Sequence, residues 1–409
     1  MQPLKVSIEG DFWDCQIYRG RLYAFYMDGS LAVYDWNKII TSLHNQVEDS
    51  LPIDCAFRRG NYLYGSQIKE LFNYHSFKQY LIERFNQYTE QTFVIENSKL
   101  SDFELIRLDN PFVELPNDTE IFDNNLYAVT DSGFSKISVH TRNPLGKRVT
   151  KFSDGLFIAL KASKGTLALS GGDEGLFEFH IQSSGKFKEL FTEIEKDARL
   201  EKIENNLFRL SSQHSSFVNW SFASLYSSSY VSPSFLAAFG WREEKEEDKK
   251  IYKREFKGVF SQSEIFTDEI SFCWGLQEKL YKADTQNRRI DVVSYIQSSI
   301  KFDFLGSIQL EQWQGDIIGG GTAYFGVIIE LENSIVVVTS NNNIITIPRT
   351  ASRWRVYPRS RNYENHLHII TDQYLEVYSF NHDYFVSQDN KVAGIRYVDD
   401  YKRSWTKVA

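Results

Sequence analysis

Short stretches of alternating apolar and polar residues recur along the chain, and Gly, Asn, Asp or Ser bound most of them. Leu31 and Val33 are two residues apart, as are Phe177 and Phe179, which is the period of a strand with one buried face. The Gly and Asn residues between the stretches supply the positive φ angles that tight hairpin turns require. The pattern therefore predicts a series of short antiparallel strands joined by hairpins.

One of these hairpins is repeated. Around Leu22 the sequence reads IYRGRLYAFYMDGSLAVYDW, and around Leu126 it reads IFDNNLYAVTDSGFSKISVH. In both, an apolar residue precedes Leu-Tyr-Ala by five positions, and a turn glycine, Gly29 or Gly133, follows that leucine by seven. A single hairpin cannot bury its own apolar face, so repeated hairpins of this kind must stack on one another.

Six further copies of the hairpin are less similar; their key positions are Tyr62, Leu167, Leu207, Leu280, Ile335 and Leu367. Consecutive key positions are 40, 64, 41, 40, 73, 55 and 32 residues apart. Three of these spacings match the period of roughly 40 residues that is typical of propeller blades, and the longer ones indicate insertions. We therefore predict an all-β fold: a single β-propeller of seven or eight blades over residues 1–409. The segment from Leu4 to Gly10 is predicted to complete the last blade.

The segment DGSLAVYDW, from Asp28 to Trp36, resembles the end of a WD-repeat blade, with a turn Asp-Gly, an alternating strand and a closing Asp-Trp. The Gly-His pair that usually opens such a blade is absent. The resemblance is to the superfamily of WD-repeat-like propellers. It implies a platform that holds partner proteins, although fold alone does not fix function.

Composition narrows the function classes. The chain carries a net charge of -8, so the molecule as a whole is not a general binder of nucleic acid or anionic membranes. Three widely spaced cysteines do not form a disulfide framework, which favours reduced thiols and a cytoplasmic protein. The sequence shows neither a signal peptide nor an apolar run of membrane-spanning length, so we expect no membrane partner.

Three insertions and a tail interrupt the repeat. In residues 76–90, Phe77, Leu81, Phe85 and Tyr88 recur at the helical period, which predicts a helix. Its apolar side either lies on the sheets or binds a partner. Residues 223–257 are rich first in Ser and then in mixed charges, which predicts a solvated loop. Within them, Phe235 to Trp241 could form an extra strand that pairs with the segment around Phe256 to Phe260. The glycine run 319–321 precedes a strand, so it indicates a turn or bulge and no phosphate loop. Residues 383–409 are predicted to form a C-terminal tail.

The segment from Arg349 to Tyr363, RTASRWRVYPRSRNY, holds five arginines and no acid in a chain that is acidic overall. Arg353 and Arg355 are two residues apart and would share one face of a strand. One interpretation is an edge that binds an acidic protein surface or a nucleic-acid backbone. The other is that these arginines pair with acids of neighbouring blades while the aromatic residues fill the core. The candidate partner-binding residues are Arg349, Arg353, Trp354, Arg355, Arg359 and Arg361, together with Phe77, Leu81 and Phe85 of the predicted helix.

Candidate chemistry is sparse. His366 and His368 would project from one side of a strand and could bind a metal only with a third ligand. Asp14, Asp54 and Asp118 each precede the first apolar position of a repeat and could meet in a central channel. We predict no catalytic residues, no metal and no cofactor.

The function that the sequence favours is a non-catalytic cytosolic propeller that binds a protein partner, as a scaffold or regulatory subunit of a complex. The alternatives are a propeller hydrolase or lyase with its site at the central channel, and a nucleic-acid-binding accessory subunit that uses residues 349–363.

Overall fold

The fold is described from a computed structural model. The described residues are 2–58, 74–140, 142–163, 166–171, 176–180, 201–202, 241–245, 252–256, 270–276, 279–296, 301–310, 314–323, 325–339, 343–358, 360, 362–380, 391–392 and 395–396. The chain divides into two compact units. The first comprises Met1–Val113, Thr141–Leu145 and Gly315–Ala409, and the second comprises Glu114–His140 and Gly146–Gln314.

The first unit consists of short strands with an inserted group of helices. In its N-terminal part the elements are β1 (Leu4–Glu9), β2 (Phe12–Tyr18), β3 (Arg21–Tyr26), β4 (Leu31–Asp35), α1 (Trp36–Ser42), α2 (Leu51–Phe57), α3 (His75–Thr89), β5 (Phe93–Ile95), α4 (Asn97–Leu100) and β6 (Glu104–Leu108). Two 3₁₀ turns, His44–Gln46 and Ser101–Phe103, join them.

The second unit, whose sequence interrupts the first, contains strands only among its described elements. These are β7 (Asp118–Phe122), β8 (Asn125–Thr130), β9 (Gly133–Ser138), β10 (Val149–Asp154), β11 (Ala159–Ser163), β12 (Thr166–Ser170), β13 (Leu176–His180), β14 (Glu201–Lys202), β15 (Trp241–Lys245), β16 (Tyr252–Phe256), β17 (Ile270–Leu276), β18 (Lys279–Asp284), β19 (Arg289–Ile296) and β20 (Lys301–Gln309).

The chain then returns to the first unit. The remaining strands are β21 (Ile317–Ala323), β22 (Gly326–Leu331), β23 (Ser334–Thr339), β24 (Ile344–Ile347), β25 (Arg353–Val356), β26 (His366–Ile370), β27 (Tyr374–Ser379), β28 (Lys391–Val392) and β29 (Ile395–Arg396).

The strands form up-and-down sheets of the kind that the repeat predicts. In the first unit two sheets have four strands, in the orders β2-β3-β4-β6 and β21-β22-β23-β24, and a third has five, in the order β25-β26-β27-β1-β5. In the second unit the four-stranded orders are β10-β9-β8-β7, β11-β12-β13-β14 and β17-β18-β19-β20. The all-β class is therefore confirmed, and a closed propeller of seven or eight blades stays a prediction.

Tight turns explain why the repeated hairpins form where they do. Between β2 and β3, Arg19 has φ 50° and Gly20 has φ 76°. Between β7 and β8, Asp123 has φ 44° and Asn124 has φ 61°. Two central residues with positive φ are the requirement of the two-residue turn whose twist matches that of the flanking strands.

The N-terminal strand joins the last sheet of the first unit, as the sequence predicts. β1 pairs antiparallel with β27, in a register that places Leu4 opposite Ser379 and Glu9 opposite Tyr374. Leu4, Val6 and Ile8 of β1 are buried in the core. This pairing ties the beginning of the chain to residues more than 350 positions later.

The unit predicted around Ile335 is displaced by one strand. Ile335 lies on the third strand of its sheet, β23, whereas Leu22, Leu126, Leu167, Leu280 and Leu367 each lie on the second strand. The cause is the glycine run, which lies within the first strand, β21, instead of in a turn before it. The predicted bulge is present, because the register between β21 and β22 shifts between Ile317 and Gly319.

The inserted helix predicted over residues 76–90 is confirmed as α3, His75–Thr89. Leu81, Phe85 and Tyr88 lie in the main apolar core of the first unit, so the helix rests its apolar side on the sheets. The Tyr88 hydroxyl donates a hydrogen bond of 3.0 Å to the Asp49 carbonyl oxygen, which fastens α3 to the loop before α2.

The charged insertion predicted as a solvated loop over residues 223–257 contains a hairpin, β15–β16. The register places Arg242 opposite Glu255, Glu243 opposite Arg254 and Glu244 opposite Lys253. The rest of this insertion, the repeat positions Tyr62 and Leu207, and most of the predicted tail 383–409 lie outside the described residues.

Candidate functional site

Two edge strands of neighbouring sheets, β2 and β25, meet at a buried ion pair in the first unit. Arg355 donates from Nε to Asp14 Oδ1 over 2.7 Å and from Nη2 to Asp14 Oδ2 over 2.6 Å. Asp14 is fully buried and Arg355 is 8 % exposed. Asp14 Oδ1 also accepts from the Cys15 backbone amide at 2.7 Å. The carboxylate thus has donors at both oxygens, as a buried charge requires.

Arg353 lies on the same side of β25 as Arg355, as the two-residue spacing predicts. Its Nη1 is 3.4 Å from Asp14 Oδ2, and its guanidinium carbon lies 5.2 Å from the centre of the Trp13 ring. Trp13 follows Phe12 at a bulge, where the register between β2 and β3 shifts. Arg353 and Arg355 therefore converge on one aspartate of the neighbouring sheet, and the second of the two sequence interpretations describes them.

Beside the ion pair, three side chains form a polar layer, in which Cys15 and His368 are buried and Tyr357 is partly buried. Cys15 Sγ lies 3.4 Å from His368 Nδ1, and the Tyr357 hydroxyl lies 3.2 Å from the same nitrogen. His368 is opposite Arg355 in the β25–β26 register, which explains why the layer continues the ion pair. Burial raises the pKa of Cys15 and of Tyr357 and lowers the pKa of His368, so all three are neutral at pH 7.

His366, two residues before His368 on β26, binds the inserted helices. Its Nε2 is 3.0 Å from the Ala56 carbonyl oxygen near the end of α2. The Ser379 hydroxyl also donates to this oxygen, at 2.6 Å, as does the Asn365 amide, at 3.1 Å. Burial lowers the pKa of His366 to about 4. The imidazole therefore stays neutral at pH 7 and acts as a hydrogen-bond donor from Nε2.

A second buried carboxylate lies on β27, the third strand of the five-stranded sheet counted from β25. Glu376 of β27 is 3 % exposed and accepts from Lys5 Nζ at 3.1 Å, from Arg349 Nε at 3.3 Å and from the Tyr378 hydroxyl at 2.7 Å. Lys5 belongs to β1, so the cluster ties the N-terminal strand to its neighbours. Arg349, whose side chain is 45 % exposed, is the most accessible described arginine of the segment 349–363.

The opposite side of β25 carries Trp354, which packs toward β21 and β22. Its Nε1 donates to Glu330 Oε2 at 2.7 Å. A Cβ atom on Gly321 would lie 2.6 Å from the indole ring, so this glycine leaves the space that the ring occupies. β25 is thus held on one side by Asp14 and on the other by a glycine-lined strand.

The structure places the predicted partner-binding residues in three environments. Arg349, Arg353, Trp354 and Phe77 are partly or largely exposed. Arg355, Leu81 and Phe85 are buried, the first against Asp14 and the other two in the core. Arg359 and Arg361 lie outside the described residues. The segment and the helix are therefore anchored by some of these residues and present others to solvent.

The three acids that the sequence offered for catalysis each have local partners. Asp14 pairs with Arg355 as above. Asp54 lies within helix α2 instead of before a strand, and its Oδ1 is 2.9 Å from both His44 Nε2 and Arg58 Nε. In the second unit, Asp118 of β7 accepts from the Leu160 backbone amide at 3.0 Å, which links two sheets. These contacts are those of structural carboxylates.

Sequence reasoning missed the acids that complete these clusters. Glu330 and Glu376 stand alone within apolar strands, and that isolation is the signal that could have identified them as partners for the arginines. Asp14 was found, but as a catalytic candidate. Among the described residues no group of three or more His, Cys, Asp or Glu side chains is arranged to hold a metal ion.

The helices of the described part are all too short or too polar to cross a bilayer. The Arg349–Tyr363 arginines that the structure describes are paired with acids of the same unit, so nucleic-acid binding through them finds no support.

No protein-family model and no curated protein matches the chain. Among solved structures, the WD40 β-propeller domain of Doa1 is 10% identical over 94% of this chain and 95% of that chain, with a TM-score of 0.44. The β-propeller domain of Myceliophteria thermophila Cps50 (Swd1) is 8% identical over 91% of this chain and 97% of that chain, with a TM-score of 0.43. A putative 6-phosphogluconolactonase from Bacteroides uniformis is 11% identical over 62% and 77% of the two chains, with a TM-score of 0.33.

All three TM-scores are below 0.5, so nothing about partners, substrates or activity rests on them.

Proposed function

We propose that the protein is a non-catalytic, WD-repeat-like propeller that binds a protein partner, as a scaffold or regulatory subunit of a complex in the cytosol. One observation carries the proposal: the described charges that could have served catalysis or anion binding are paired with one another. Asp14 joins two sheets through Arg355, and Glu376 holds Arg349 of the segment between β24 and β25. Sheets joined by such ion pairs are rigid, and a rigid sheet holds exposed side chains in a fixed geometry for binding a partner.

The surface that we assign to the partner consists of Arg349, Arg353, Trp354 and Phe77. The side chains of the two arginines are 45 % and 21 % exposed, and each also contacts an acid of the same unit. Arginine and tryptophan are the residue types that contribute most to protein interfaces. Arg355, Leu81 and Phe85 are buried, so they would act on this surface only by holding β25 and α3 in place. Arg359 and Arg361 are assigned to it from the sequence.

The cytosolic assignment is supported by the cysteines. Cys15 and Cys55 are buried and free. Free thiols persist in reducing compartments, whereas secreted domains use cysteines in disulfides.

The experiment is isolation of the tagged full chain at native abundance, with cross-linking before lysis and identification of what co-purifies in fixed stoichiometry. The complex is then rebuilt from purified proteins with wild type and with Arg349→Gln, which removes an accessible charge but can still donate to Glu376. Lys99→Gln removes an exposed charge from α4 and is the matched control.

We expect Arg349→Gln to weaken the complex at least about fivefold, and Lys99→Gln to leave it unchanged, since loss of an interface arginine costs about 1 kcal/mol or more. A chain that purifies alone at native abundance contradicts the proposed function. Equal effects of the two variants remove Arg349 from the surface.

A further inference from the structure

Two glycines of β21, Gly319 and Gly321, leave space on one side of the sheet that the side chains of Glu330 and Trp354 occupy. Gly319 is opposite Glu330 in the β21–β22 register, and a Cβ atom on Gly319 would lie 2.4 Å from Glu330 Oε2. Gly321, two residues on, faces the same side and lies under the Trp354 ring. A carboxylate and an indole thus lie side by side over a bare strand, joined by the 2.7 Å hydrogen bond from Trp354 Nε1 to Glu330 Oε2.

Glu330 has different hydrogen-bond partners from Asp14 and Glu376, the two buried acids of the first unit described above. Asp14 and Glu376 each meet at least one arginine, whereas within the described residues no Lys, Arg or His nitrogen lies within 4.0 Å of the Glu330 carboxylate. Its one described donor is the neutral indole. Burial accordingly raises the pKa of Glu330, with the Trp354 hydrogen bond opposing the rise. A partly buried carboxylate with one neutral donor lacks the cation that would compensate its desolvation.

Both side chains remain accessible. Glu330 and Trp354 are each partly exposed, and a hydrogen bond joins their side chains. A group that approaches from solvent can therefore contact the carboxylate and the edge of the indole together.

We propose that Glu330 and Trp354 form a notch that receives a basic side chain of the protein partner, with arginine fitting best. This inference rests on the proposed function and names the chemistry of the partner at one point. A guanidinium group can donate to a carboxylate oxygen while its flat face lies against an aromatic ring, and a lysine ammonium can do only the first of these well. A metal ion would need further ligands, and among the described residues no group of three or more His, Cys, Asp or Glu side chains is arranged to hold one.

The notch is tested with short peptides on the full-length protein. The probe is acetyl-Gly-Arg-Gly-amide, and the matched peptide carries citrulline, which keeps the shape of arginine without its charge. Binding is followed through the NMR resonance of the Trp354 indole N–H, assigned by its absence from Trp354→Phe.

Two variants separate charge from structure. Glu330→Gln removes the charge and keeps an oxygen that can accept from Trp354, so the fold is expected to survive. Glu332→Gln removes an exposed carboxylate two residues away and is the control. An unchanged indole spectrum of Glu330→Gln outside the notch verifies folding.

We expect saturable binding of the arginine peptide to wild type and Glu332→Gln, and binding weaker by at least about tenfold for Glu330→Gln and for the citrulline peptide. Equal binding of the two peptides, equal binding to Glu330→Gln, or no binding to wild type overturns the notch. Each of these three results can be obtained while the cross-linked partner is still recovered. Failure of the notch can therefore be distinguished from failure of the proposed function.

Discussion

Acid should loosen the contact between His366 and the inserted helices. His366 is completely buried and donates to the Ala56 carbonyl oxygen, and burial lowers its pKa to about 4. In the unfolded chain the pKa of histidine is about 6.5, so the unfolded state binds more protons between these values. The stability that follows from keeping His366 neutral is complete above about pH 6.5 and is lost as the pH falls toward 4.

The magnitude follows from linkage. Between pH 7.5 and pH 5.0, pKa values of about 4 folded and about 6.5 unfolded lower the free energy of unfolding by about 2 kcal/mol through His366 alone. His368, whose pKa is also lowered by burial, adds to the loss in the same direction.

The assay is urea denaturation of wild type and His366→Gln at both pH values. The glutamine amide can donate to the Ala56 carbonyl oxygen but does not titrate. All other groups titrate in both proteins, so the difference between the two pH-induced losses isolates His366. We expect wild type to lose about 2 kcal/mol more than the variant. Equal losses would refute the assignment of a neutral, buried His366.

Three further predictions concern single positions. Gly326→Ala should strongly destabilise the fold, because a Cβ atom there would lie 2.2 Å from the Val338 carbonyl oxygen. Gly306 has a similar φ but open space around the added Cβ, so Gly306→Ala should lower the midpoint of thermal unfolding much less. Cys15 should resist alkylation by iodoacetamide in the native protein at pH 8 and react in urea, because the thiol is buried and its pKa is raised. Mass spectrometry of the labelled peptide measures the reaction, and rapid labelling of the native protein would contradict the burial. Asp35→Ala should cost about 1 kcal/mol of unfolding free energy, because Asp35 Oδ1 caps helix α1 by accepting from the Lys38 amide at 3.1 Å, and Asp35→Asn should recover most of it.

The local rules of strand and turn formation carried most of the fold prediction. The alternating pattern and the turn residues located the hairpins around Leu22 and Leu126, and the helical period located α3 to within a residue. The hairpins and the helix depend on short-range sequence, which is why they could be predicted from it. The N-terminal strand was placed by a different argument, because in propellers this strand often completes the last blade, and β1 does pair with β27.

Two features of the fold were predicted only in part. Gly319 to Gly321 were expected in a turn or bulge, and the bulge is present, but it lies within strand β21, where the glycines leave space for the Glu330 and Trp354 side chains. The charge run after Trp241 was expected to be a solvated loop, and its residues form part of the hairpin β15–β16. Which strands pair at these two places depends on contacts that the local sequence does not specify.

Only part of the candidate site could be predicted, because the sequence around a residue does not show which distant residue it pairs with. The spacing of Arg353 and Arg355 predicted that they share a face, which the structure shows. That they converge on Asp14, 341 positions before Arg355, depends on which sheets become neighbours. The same holds for Glu376 with Arg349 and Lys5.

The central claim is that the arginine-rich strand β25 fastens two sheets through Asp14. The most direct measurement is a double-mutant cycle in urea denaturation with Asp14→Asn, Arg355→Gln and the combined variant. Glu48→Gln, at an exposed ion pair of the same unit, serves as the control. We predict that each single variant costs about 3–5 kcal/mol, and that the coupling energy exceeds about 2 kcal/mol. Asp14→Asn leaves the buried Arg355 facing a neutral amide, and Arg355→Gln leaves the buried Asp14 without its two-pronged ion pair. Single variants no more costly than the control, with additive effects, would contradict the account.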